Sequence, residues 1–78
     1  MKEANETTHS CIKAVMDAID RKHGRTGHYA HTQVCHYGMS TALWLPEWSE
    51  LNRVVDRSET DSECQAGLLL LMASLESE

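Results

Sequence analysis

The chain has no phenylalanine, a single proline, and only two tyrosines and two tryptophans. Its apolar content is instead aliphatic and is crowded near the C-terminus, in the run LLLLMASL from Leu68 to Leu75. That run is far shorter than the ~20 apolar residues that span a bilayer, so no membrane insertion is expected. The N-terminal MKEANETTHSC carries acids and no apolar stretch, unlike a secretory signal. The three cysteines, Cys11, Cys35 and Cys64, form no CxxC pair. An odd count without an export signal reads as reduced thiols and a cytoplasmic protein. The sequon Asn5-Glu6-Thr7 then has no consequence. There is no P-loop, GxGxxG, GxSxG or HExxH motif, no internal repeat and no long linker.

What is there fits one small domain over residues 1–78, with residues 1–6 expected to fray. A chain this short buries only about 60% of its unfolded surface, so oligomerisation is a fair expectation. Charge is divided unevenly. Residues 1–45 carry five basic against four acidic side chains, and residues 46–78 carry two against eight. All five histidines lie in the first half, which gains positive charge as pH falls. The net charge of −5 argues against direct nucleic-acid binding, which rests on neutralising phosphates. It favours a protein partner with a basic or mixed-charge surface.

Apolar periodicity predicts an all-α fold of three to four short helices, about 8–23, 29–44, 46–57 and 61–77, in a small, dimeric bundle. In the first, Cys11, Ile12, Val15, Met16, Ala18 and Ile19 recur at helical spacing. Asn5, Thr7 or Thr8 is placed to cap it, and Gly24 supplies a left-handed stop. GRTG then reads as a loop. Along the second, Ala30, Val34, Tyr37, Thr41, Trp44 and Leu45 gather on one side, and His28, His31, Thr32 and Cys35 on the other. Gly38 inside this helix costs about 1 kcal/mol relative to alanine. Pro46 opens the third helix at a position where it loses no needed hydrogen bond, and Trp48, Leu51, Val54 and Val55 form its buried stripe. Thr60 with Glu63 resembles a capping box for the fourth. Its inner stripe is Cys64, Leu68, Leu71, Met72 and Leu75, while Leu69 and Leu70 widen the apolar surface beyond what a small bundle covers. A second copy or a target protein is the expected cover.

The expected function is a small acidic protein-binding module, an inhibitor or adaptor acting by stoichiometric contact. Short, acidic, motif-free chains of this kind are compatible with phage-type or mobile-element host-takeover proteins. Large anchors should supply the binding energy, and the candidates are Tyr37, Trp44, Trp48, Leu69 and Leu70, with Glu47 and Glu50 steering at the rim. For Trp48 a place in the core competes with that role. A zinc-stabilised module is the alternative. His28, His31 and Cys35 project from one helix face, and Cys11, His23 or His36 would complete a tetrahedral set. The spacing matches no common zinc module, so no cofactor is expected. A second alternative is nucleic-acid mimicry by the acidic half, although Arg53 and Arg57 interrupt those acids. No enzyme is expected. Cys35 follows His31 by four residues, but no orienting group or oxyanion donor accompanies the pair.

Overall fold

A computed structural model describes residues 3–77 of the chain. It is all-helical: α1 Glu6–Tyr37, a 3-10 turn Met39–Ala42, α2 Pro46–Arg57 and α3 Asp61–Glu76. Among the described residues no helix is long and apolar enough to cross a membrane.

Helix α1 begins where its cap allows. The Asn5 side chain accepts from the Thr8 N–H at 2.8 Å, which satisfies one of the donors a helix start leaves open. Asn5 is itself held, because its N–H donates to Asp61 Oδ1 at 3.0 Å. Order therefore reaches back into the stretch expected to fray, whose residues 1 and 2 lie outside the described residues. The fully buried Thr8 hydroxyl donates to the same Asp61 oxygen at 2.7 Å and accepts from Gln65 Nε2 at 3.0 Å. These bonds fasten the start of α1 to the start of α3.

The expected loop at GRTG is a one-residue break. Gly24, at φ 57° and ψ −125°, is the only non-helical residue inside α1, and the second arm resumes at once. It begins at residue 25, not 29, because the positive φ at Gly24 alone reverses the chain. Gly27 then packs against the first arm so closely that a Cβ there would lie 2.5 Å from the Asp20 carbonyl oxygen. The second arm also stops at Tyr37, not 44. Gly38 adopts φ 102° and its N–H bonds the Val34 carbonyl at 2.9 Å. A glycine read as tolerated inside a helix is its terminator. Trp44 and Leu45 therefore sit in a short connection before α2, which runs over the expected residues. Helix α3 ends at Glu76, with Ser77 as its C-cap. The Thr60 side chain accepts from Glu63 N–H at 3.1 Å while Glu63 Oε1 accepts from the Glu59 N–H at 2.9 Å. The reciprocal cap is thus displaced by one residue from the usual box.

The first arm of α1 and α3 run in the same direction. Cys11 and Val15 meet Leu68 and Met72, and Ala18 and Arg21 meet Leu75 and Glu76. Helix α2 runs antiparallel to α3, with Val54 against Gly67. The core between them holds Val15, Ile19, Trp48, Leu51, Cys64 and Leu68, each at most 1% exposed. Ala30 and Val34 of the second arm close one side.

Gly27→Ala should destabilise the fold by ~1–3 kcal/mol, the usual range for overpacking, because backbone cannot yield to the new Cβ. Thermal unfolding should fall by roughly 5–20 °C. Gly67→Ala should cost less, since its Cβ would meet the movable Val54 side chain at 2.8 Å. Equal losses in calorimetry would contradict this account of the α1 corner.

Candidate functional site

The tight corner at Gly24 brings the end of the first arm against the start of the second. Asp20 Oδ2 sits 2.9 Å from His31 Nδ1 and 3.7 Å from His28 Nδ1. The His31 ring packs on Trp48, with centroids 5.9 Å apart at 48°. Beside this pair, Glu47 meets His23 Nε2 at 3.0 Å and Lys22 Nζ at 3.6 Å. The His23 contact is close but poorly directed, so both atoms lack a well-formed hydrogen bond. Among the described residues the buried Trp48 indole N–H has no hydrogen-bond partner either.

This geometry redistributes the expected metal ligands. His28, His31 and Cys35 do not look outward together. His31 leans inward because Asp20 offers a charge-assisted bond and Trp48 an aromatic face. The His28 side chain is 78% exposed, and Cys35 is exposed. Among the described residues no group of three or more histidine, cysteine or acidic side chains is arranged to hold a metal ion.

The anchor candidates also separate. Trp48 is fully buried, so it belongs to the core and offers no contact. Tyr37, expected on the inner side with Ala30 and Val34, is 71% exposed. It ends the second arm at the Gly38 reversal, with the His36 ring 6.0 Å away. Glu47 is engaged with Lys22 and His23 rather than free at a rim. Glu50 is exposed and pairs with Arg53 at 3.0 Å.

Two exposed apolar surfaces remain. The first is a corner made by Tyr29 and Trp44. Trp44 is 54% exposed, yet its Nε1–H donates to the Thr41 carbonyl at 3.0 Å. Its ring lies 6.4 Å from that of Tyr29. Thr41 is fixed in turn, its hydroxyl donating to the Gly38 carbonyl at 2.7 Å. A shallow depression beside Tyr29 is lined by Gly24, Arg25, His28 and Thr32, which gives the corner a cationic margin. Tyr29 is not among the anchor candidates the sequence suggests. Tyr29 lies on the same helix as His28 and His31, and only the folding-back of that arm pairs it with Trp44. The second surface is the outer face of α3, where Leu69 and Leu70 are 68% and 75% exposed.

Two carboxylates take on a distinct electrostatic character. Burial pushes Glu47 up, but its own backbone N–H and the charges of His23 and Lys22 outweigh this and hold it below 4.5. The Asn5 N–H, then the Thr8 hydroxyl, hold Asp61 below 3.8, with His9 adding a smaller pull. A lowered native pKa means that the unfolded chain binds more protons in the acid range. The stability both groups contribute is whole above the ordinary carboxylate values and is lost as pH falls through the lowered ones. Melting temperature followed from pH 7 downward should therefore drop below about pH 4.5. Glu47→Gln with Asp61→Asn should flatten that limb; an unchanged acid limb would show that these contacts do not couple to folding.

No family model matches the sequence, and no match was found among curated proteins or solved structures, so the function rests on the surfaces just described.

Proposed function

We propose that the chain is a protein-binding module that grips its partner at the Tyr29–Trp44 corner and acts by stoichiometric contact, as an inhibitor or adaptor does. The observation that carries this reading is Trp44, half in solvent but locked by its bond to Thr41 and its packing on Tyr29. An exposed tryptophan without such fixing would lose rotamer freedom on binding. One already held loses little, and rigid aromatic anchors are the side chains that dominate protein interfaces. Thr41 and Gly38 supply the fixing from the backbone side.

Charge supports a partner of mixed character. Arg25 and His28 line the margin of the corner, so acids beside an apolar patch suit this surface. The chain as a whole carries −5, which steers it toward basic regions further out. Aromatic burial would supply the affinity, and the rim charges would set the approach.

The test compares immobilised wild-type protein with Trp44→Ala and Tyr29→Ala. The expected outcome is a partner held by the wild type and weakened by at least ~2 kcal/mol, about 30-fold, in the tryptophan variant. Both variants should keep wild-type melting behaviour to within a few degrees, because neither residue is in the core. A partner bound equally well by all three proteins would remove the corner from the interface.

A further inference from the structure

We propose that the outer face of α3 is a self-association surface, covered by a second copy of this chain packed antiparallel across it. Residues 64 to 75 contain no charged side chain, so this stretch has nothing that prefers water at its centre. The exposed positions on one face are Ser62, Ala66, Leu69, Leu70, Ala73 and Ser77. At 100° per residue they fall within about 100° of one another. Their order is symmetric about the point between Leu69 and Leu70, with alanine on either side and serine beyond. A two-fold axis through that point sets leucine against leucine at the centre and alanine against alanine outside it, with no bulky side chain left facing a gap. A two-fold contact is isologous, so one patch must be complementary to itself, and this one is. Antiparallel pairing also sets the start of one α3 beside the end of the other, which the helix dipoles favour over like ends together.

The flanks carry charges of both signs, and the two-fold arrangement pairs some of them. On the α1 side, Asp61 and Glu6 mark one end of the face, and Arg21 lies at the other beside Leu75 and Glu76. On the α2 side the order is reversed. Arg57 lies near Glu63 at the first end, and Glu50 lies near Leu70 and Ser74 toward the second. The two-fold rotation brings each flank against the same flank of the other copy with its ends exchanged. Arg21 then approaches the acidic start of the other copy, and Arg57 approaches its Glu50. Glu76 beside Arg21 and Glu63 beside Arg57 stand at the same corners, so each basic contact is made next to an acid and the flank attraction is partial.

Size limits the strength. Helix α3 is about 24 Å long and ~10 Å across, too small alone for the ~800 Å² that each partner contributes to a stable interface. The charged flanks must take part, so the dimer forms at micromolar concentrations or above and weakens with salt.

Sedimentation equilibrium of the full chain from about 5 to 500 µM tests this. The wild-type mass should rise from 8.8 kDa toward twice that value. Leu69→Glu with Leu70→Glu should weaken the dimer at least tenfold, and should melt with the wild type at concentrations where the wild type is monomeric, both residues being exposed. In a background with Cys11→Ser and Cys35→Ser, an equal mixture of Ala66→Cys and Ala73→Cys proteins should cross-link on oxidation, and neither should do so alone. A monomer at every concentration, a dimer indifferent to the leucine changes, or cross-linking of Ala66→Cys to itself would each overturn the proposal. Loss of a different protein partner from the leucine variant, with the wild type monomeric, would overturn it too. Trp44→Ala should leave self-association intact, so failure here and failure of the aromatic-corner reading are distinguishable.

Discussion

The close approach of backbone to backbone at Gly27 is the constraint on which the rest of the molecule depends. A straight helix of the 32 residues of α1 would be about 48 Å long, whereas the longest dimension of the protein is 33 Å. Gly24 breaks that length, but a break alone only frees the second arm. It is the absence of a Cβ at Gly27 that lets the arm close on Asp20. Once closed, it carries Ala30 and Val34 into the core, His31 onto Trp48, and Tyr29 toward Trp44. The acidic contacts of His28 and His31, the cover over the core tryptophan and the aromatic corner are thus products of one glycine pair.

The opposite end of the bundle is held by polar rather than steric means. Asp61 accepts from both the Asn5 N–H and the Thr8 hydroxyl, and Gln65 donates to that same hydroxyl. Thr8 is fully buried, and a buried hydroxyl without partners would be costly. Here it both donates and accepts, so the joint ties two helix starts with no unsatisfied group. The two like-directed helices would otherwise bring their positive ends together, and Asp61 places a carboxylate between them. The aliphatic contacts from Cys11 to Leu75 then follow the direction this clamp sets.

Local signals in the sequence were sufficient for some elements and insufficient for others, for identifiable reasons. The limits of α2 were legible because Pro46 and the Trp48, Leu51, Val54 stripe act within the helix itself. The Thr60–Glu63 cap and the inner stripe of α3 were legible for the same reason. Gly38 is ambiguous in the sequence because a glycine followed by further apolar spacing looks the same whether it interrupts a helix or sits inside one; its φ of 102° accompanies the entry of Ala42 and Leu45 into the core. His31 was assigned to the outer face because helical periodicity alone cannot see Asp20, eleven residues away and brought near only by the corner. The same tertiary step brings Asp20 to the ring nitrogens of both His28 and His31. Trp44 and Trp48, four residues apart in sequence, have opposite fates because Pro46 starts a new helix between them.

That division of apolar side chains bears on why two sticky surfaces persist. Four consecutive leucines on a helix point in four directions 100° apart, so a bundle that packs one side of α3 can bury only some of them. Leu68 and Leu71 fall inward between α1 and α2, and Leu69 and Leu70 must then fall outward. Replacing them with charged residues would leave the core untouched, so the fold itself places no demand for leucine there. The same holds at Trp44, whose indole contributes to neither the core nor a helix cap, yet is fixed by a backbone carbonyl. Side chains that folding does not require, held in place and turned to solvent, are the ones on which both proposed contacts rest.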